Sequence, residues 1–393
     1  MSKTQTPSWM ASAPSRPGEA SQGKFTADQW RTFCTVHLPI TLIRLWGSLP
    51  STDRKRQMLV NFMHLVTAVR LGTMRVMTEE RIQLFESHIR AYLEEMIGFG
   101  QSDRLGGLYP HTSITPYQHM MLHFGTLLRR FGPVHSWRCF AFERFNYILQ
   151  STPTNQRFGE LEQTMFVRFC QMQKLKAKFH DEGQSSLVHS LATLYQNTFE
   201  DMDSRGSRIS DALAFEEDQS ELADDIASWP SGFVQRLDRE MYALLQHCKP
   251  ADDGSFLSVV QPHQKVKQRG AIFAPQHRSF ANAQVILETQ GWTAGSIQQI
   301  FTAVWKAHDG KHHGKTFASI KLYKPLNGND LEHDHYHEFG FSGGRLFYDE
   351  LESHAVLIPL DNIISHFGHT SQLPFATCAP VVHVLPLNKD SEI

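Results

Sequence analysis

The sequence predicts an α+β protein, with an N-terminal all-α helical domain followed by a small C-terminal β-barrel-like domain. Three observations predict it. Apolar residues recur every three or four positions up to about residue 200. From Ser255 onward the texture turns to short β-branched and aromatic runs punctuated by Gly, Pro and Asn. Between these regions, residues 201–230 are acidic and poor in large apolar side chains, as a linker would be. The 393 residues thus divide into a disordered lead-in (1–25), a helical domain (26–200), the acidic linker (201–230), a connecting helix (231–254) and a β domain (255–393).

The helical elements announce themselves by caps and stripes. Thr26 is placed to cap a segment carrying Trp30, Phe33, Val36, Ile40, Ile43 and Trp46, which Pro39 should kink or split. Ser51-Thr-Asp53 opens a second segment with Met58, Leu59, Phe62, Leu65, Val66, Val69 and Leu71. Thr78 opens a third, with Ile82, Phe85, Ile89, Tyr92, Leu93 and Met96 on one face and Gly98 and Gly100 as its stop. A Gly/Pro-containing loop over 101–116 precedes helices expected at 116–131, 141–150, 159–180 and 185–200, and a short amphipathic one lies in 231–248. Strands are expected at 284–288, 295–303, 316–325, 344–347, 355–359 and 381–385; six short strands suit a small barrel or sandwich.

Composition excludes several classes. Net charge is -2, so no global positive field draws the chain to nucleic acid, and any DNA contact must come from local basic patches. No run of eighteen apolar residues exists, which excludes a membrane-spanning helix, and the N-terminus lacks the apolar segment of a secretion signal. Five scattered cysteines without a CxxC pair indicate reduced thiols in an intracellular, non-secreted protein, and no structural zinc ribbon. No GxGxxG, P-loop or GxSxG occurs, so no cofactor is implied by motif.

Several polar constellations are candidates for chemistry. His119 and His123 stand at i, i+4 on an expected helix, where two imidazoles share a face and could share a metal; otherwise they flank the apolar face of Met120, Phe124 and Leu127. His135 and Glu143-Arg144 follow. Glu143 is either a divalent-metal ligand or half of a Glu–Arg pair anchoring its helix, and the second reading is preferred. Thr154-Asn155 and Gly159-Glu160-Leu-Glu162 read as a turn and an acidic helix start. His333, His335 and His337 alternate as strand ligands would, yet their acidic, Asn/Gly-rich surroundings, like those of His312 and His313, favour a solvated loop between strands. Basic clusters at 53–56 and 174–178 lie on expected helices and read as solvated faces.

Three blocks carry a resemblance. They are Asp28-Gln-Trp-Arg31 through His37-Leu-Pro39 to Leu45-Trp46-Gly47; the stretch from Gln118 to Glu162; and the tail motifs at 321–325, 343–351, 364–367 and 383–387. In this order they resemble the region C-terminal to the nuclease core of fungal CACTA-type (En/Spm-like) transposases, over roughly residues 26–388. The resemblance implies a transposable-element origin and a nuclear location. In that family, Asp and Glu carboxylates on a ribonuclease-H-like sheet hold two metal ions for DNA cleavage and strand transfer. Here no strand carrying an early Asp precedes residue 100, so Glu143 lacks the family's partner carboxylates.

The expectation is therefore a transposase-derived accessory protein without independent catalysis, acting in association with transposase or other protein chains, or with DNA. One alternative is a Mg²⁺- or Mn²⁺-dependent nuclease using Glu143 with His119, His123 and His135. Another is a chromatin or peptide reader whose aromatic cage would come from Trp292, Phe301, Trp305, Tyr323 and Tyr348.

Overall fold

A computed structural model of the chain describes residues 4–10, 25–98, 107–109, 112–137, 159–179, 234–248, 255–268, 271–289, 291–306, 312–372 and 379–387, with a few isolated positions besides. It divides into two compact units, Met1–His135 with Glu217–Ile393, and Ser136–Glu216. The expected helical domain of 26–200 is therefore not one body. Its helices up to residue 135 fall in the same unit as the β domain, with Val36, Ile40, Ile43, Leu59, Met63 and Val66 packed on β residues.

Local signals place the N-terminal helices. Helix α1 (Ala27–Thr32) starts at a Thr26–Gln29 capping box. A single π-helical turn, Phe33–His37, leads into α2 (Leu38–Trp46), whose first turn holds Pro39. Pro39 has no N–H to continue the α pattern, and the widened turn sits just before it. Asp53 caps α3 (Arg54–Gly72), and Thr78 caps α4 (Glu79–Ile97), which ends at Gly98 in the left-handed conformation. The α3–α4 hairpin closes tightly at Gly72, where a Cβ would meet the Phe85 ring at 3.1 Å. The expected helix over 116–131 is broken into α5 (Pro116–Met121) and α6 (Phe124–Phe131), with a short α7 (Val134–Trp137) after them. Arg129 on α6 bonds both Glu79 and Glu86 of α4, and holds both carboxyls below the usual range. The second unit contains α8 (Leu161–Phe179), as the sequence predicts. Glu143, Arg144, Thr154, Asn155 and residues 201–230 lie outside the described residues.

The β region is a closed antiparallel barrel. In chain order its strands are β1 (Thr4–Gln5), β2 (Gln235–Arg236), β3 (Val259–His263), β4 (Val266–Gln268), β5 (Ala271–Phe273), β6 (Gln284–Thr289), β7 (Gly291–Lys306), β8 (His312–Pro325), β9 (Arg345–Pro359), β10 (Ile363–Gln372) and β11 (Val381–Pro386). Six of them form the ring β6-β7-β8-β9-β11-β10, closed by the pairing of β10 with β6. The expected strands 344–347 and 355–359 are one strand, β9, and the sixth ring member is the unexpected β10. The remaining strands extend or cover the ring. β1 pairs with β10, β3 with β7 and β2 with β3, while β4 and β5 form a separate hairpin. Helix α9 (Arg239–His247), inside the expected connecting helix, packs Leu245 against Phe301, Trp305 and Phe317.

Ile286, Ala294, Tyr323, Phe347, Phe367, Val382 and Val384, from all six ring strands, form one buried cluster that fills the lumen. Tyr323 donates from its hydroxyl to Gln284 Oε1 at 2.9 Å, and Gln284 Nε2 bonds Ser296 Oγ and the Phe280 carbonyl. This buried polar chain is satisfied from within. The N-terminal residues depart from the expected disordered lead-in of 1–25: β1 adds to the barrel, Ser8 donates to Asn282 Oδ1, and Trp9 Nε1 reaches His366 Nδ1.

The helical layer is locked onto the barrel by Ile43, Leu59, Met63 and Val66 packing with Tyr336, Leu346 and Val381. Tyr336 donates to the Ile40 carbonyl at 3.2 Å and lies 4.1 Å, centroid to centroid, from the His383 ring. Asp334, which burial holds above the usual carboxylate range, accepts the backbone N–H groups of Tyr336 and Leu346. The β8–β9 connection, expected to be solvated, is thus a clasp with Asp330, Asp334 and Tyr336 inside. Its outer side faces water: Asn327, Asn329, Leu331, His333 and His337 are exposed and His335 is half-buried.

Candidate functional site

A cleft of about 60 Å³ opens where residues 9–10, the π-helical turn, the end of α3 and the end of β11 meet. One buried water needs about 10–15 Å³ on this scale, so the space suits several waters or a small oxyanion. Its walls carry two arginines, Arg31 and Arg70, with Trp9, Thr35 and Thr73 beside them.

Arg70 defines the electrostatics. Its guanidinium donates to the carbonyl oxygens of Phe341 and Pro386, the latter at 2.5 Å, and stacks 4.9 Å over the Phe341 ring. No carboxylate reaches it among the described residues. Burial pushes its pKa down to about 10, which leaves it charged at neutral pH. Two of the five N–H donors of a guanidinium are thereby taken by neutral acceptors, and among the described residues no carboxylate balances the positive charge. Arg31 ends α1 on the same wall. Thr35 and Thr73 donate their hydroxyls back to the Arg31 and Val69 carbonyls, so the charge in the cleft comes from its arginines, Arg70 foremost. The π-helical turn matters here: its Thr35 and Val36 line the cleft, with Thr32 at its N-cap, and such turns recur at functional sites.

The residues singled out by sequence are placed unevenly. His119 and His123 do converge, Nε2 to Nε2 at 3.3 Å, on the exposed surface at the α5–α6 break. His135 lies in α7, with its side chain outside the described residues, as is Glu143. His333, His335 and His337 do not share a strand face. His313 lies stacked 5.7 Å from Trp305. Among the described residues, no group of three or more His, Cys, Asp or Glu side chains could hold a metal ion. The five rings of the proposed cage are split among three separate cores: Phe301 and Trp305 in one, Trp292 and Tyr323 in the lumen, Tyr348 at the helical junction. They form no cage, because alternation along bent strands sends them to different packing clusters.

Sequence reasoning missed both arginines of the cleft. It also missed a histidine pair on the α3–α4 hairpin, His64 and His88, whose Nδ1 atoms lie 2.8 Å apart. Burial, then the His64 charge, holds the His88 pKa below its ordinary value. The local signal for that pair was absent, since the two residues come from different helices. No helix among the described residues is long and apolar enough to cross a membrane. No family model, curated protein or solved structure matches the chain.

Proposed function

We propose that this chain is a transposase-derived accessory protein that associates with DNA through phosphate contacts and does not itself cleave it. The observation that carries the reading is the charge of Arg70, which meets only neutral carbonyl oxygens among the described residues, beside Arg31 in a cleft of oxyanion size. Phosphate, like carboxylate, matches the guanidinium fork in geometry and charge. With a net charge of -2, affinity must come from this local patch, and non-specific binding in the range of about 10⁻⁴–10⁻⁶ M at physiological salt is expected. The resemblance to CACTA-type transposases supports the polymer assignment and a nuclear location. The nuclease alternative needs Glu143 and the His135 side chain, both outside the described residues.

Fluorescence anisotropy with a labelled duplex across a salt series tests the reading. Binding should weaken with salt, and Arg31→Ala should weaken it further and lower the salt slope by about one. Arg70→Lys, which keeps the charge without the fork, should weaken binding, with circular dichroism to separate any loss of fold from loss of the phosphate contact. Binding that is absent at low salt, or indifferent to Arg31→Ala, overturns the phosphate reading. Mg²⁺- or Mn²⁺-dependent cleavage lost in Glu143→Ala overturns the non-enzymatic half.

A further inference from the structure

A second site lies apart from the arginine cleft, and its argument does not depend on that cleft. We infer that His119 and His123 form half of a tetrahedral transition-metal site that a second copy of this chain completes, so that zinc joins two chains.

The geometry comes first. The helix expected over 116–131 breaks after Met121, and His123 stands at the start of α6. The two Nε2 atoms come to 3.3 Å, with ring centroids 5.1 Å apart and planes at 75°. Two nitrogens 3.3 Å apart, each about 2.0–2.1 Å from one zinc ion, subtend an angle of about 104–111° at the metal. That brackets the tetrahedral angle. The two side chains are therefore spaced as adjacent ligands before any metal arrives. Both are exposed, so a metal and a partner can approach without unfolding.

The number of ligands argues for the second copy. A structural zinc takes four protein ligands, and no further His, Cys, Asp or Glu among the described residues completes the set. A twofold axis through the metal would bring the same pair from another chain, filling the two open corners with a self-complementary contact. The surroundings fit such a contact. Tyr117 is 83 % exposed, Met120 61 % and Leu122 41 %, giving an apolar rim to the pair on the same short stretch.

The test is sedimentation velocity of the tag-free full chain, with zinc added stoichiometrically or removed by chelator, together with zinc titration by calorimetry. The expected result is a doubling of mass at one zinc per two chains, reversed by chelator. His119→Ala and His123→Ala, both surface changes, should each stay monomeric in zinc with an unchanged far-ultraviolet circular dichroism spectrum. Cobalt substituted for zinc should give the intense visible absorption of a tetrahedral site in the wild type alone. Zinc bound one per chain without a change of mass, dimerisation that survives in either variant, or no zinc binding above the level that both variants retain through other exposed histidines, would each overturn the inference.

Discussion

The barrel carries two histidines that burial holds neutral in the folded state well below pH 6, and this makes stability fall steeply in mild acid. His366 is 1 % and His383 0 % exposed. Burial pushes both down to about 4. His383 Nε2 lies 2.7 Å from the Gly343 carbonyl oxygen, so it donates, and its Nδ1 is buried without a partner among the described residues. His366 stacks on Phe273 at 4.4 Å. The Asn282 and Ile272 carbonyls beside His366, and the Gly343 carbonyl beside His383, only partly offset the burial. In the unfolded chain each titrates near 6.5. The folded pKa is the lower one, so the unfolded state binds more protons in acid. Stability is therefore complete above about pH 6.5 and is lost as pH falls toward 4. Between pH 7 and 5 each histidine costs about 2 kcal/mol, and the pair about 4 kcal/mol. His369, also lowered by burial, adds in the same direction. Asp334, raised by burial, opposes it at the acid end. Urea denaturation at pH 7, 6 and 5 measures the loss. His383→Gln keeps an amide N–H for the Gly343 carbonyl and cannot titrate, so it should remove about half of the loss, about 2 kcal/mol. A wild type whose stability is flat between pH 7 and 5, or a variant that loses as much as wild type, would refute the reasoning.

Two further perturbations probe the barrel. Tyr323→Phe leaves Gln284 Oε1 buried without its donor and should cost about 1–3 kcal/mol in urea denaturation; Ser296→Ala should cost less, because Gln284 Nε2 keeps the Phe280 carbonyl. Equal losses would show that the lumen chain is not organised around that hydroxyl. Gly344→Ala puts a Cβ 2.2 Å from the Val384 carbonyl at φ +79 and should abolish soluble folded protein. Gly340→Ala, with φ +53 and open space, should cost only the backbone strain of about 1–3 kcal/mol. A soluble, native-like Gly344→Ala protein by circular dichroism would contradict the close approach of β9 and β11.

The helices were legible because their signals are local. Thr26, Asp53 and Thr78 each cap the helix that follows, and Gly98 ends one by adopting a conformation that few other residues accept. The π turn was half legible, since Pro39 foretold an irregularity without its form. β10 was absent from the expected strands because Ser365, His366, His369 and Thr370 break any apolar run there, while the ring buries all four. β9 was split in two because exposed residues such as Glu350, Ser353 and His354 interrupt its apolar ends. The lead-in looked too polar to order, yet Ser8 and Trp9 find partners on Asn282 and His366, far along the chain.

By itself the sequence determined the helix caps, the change from helical to strand texture and the i, i+4 pairing of His119 with His123, each a matter of neighbours a few residues apart. Tertiary structure alone decided that β10 closes the ring on β6, that the early helices share a body with the barrel, and that Arg31 and Arg70 meet in one cleft. The reason is physical. Caps and stripes are set by backbone geometry within a turn or two, whereas ring closure and the convergence of charges depend on contacts between distant segments, which only the packed core brings together.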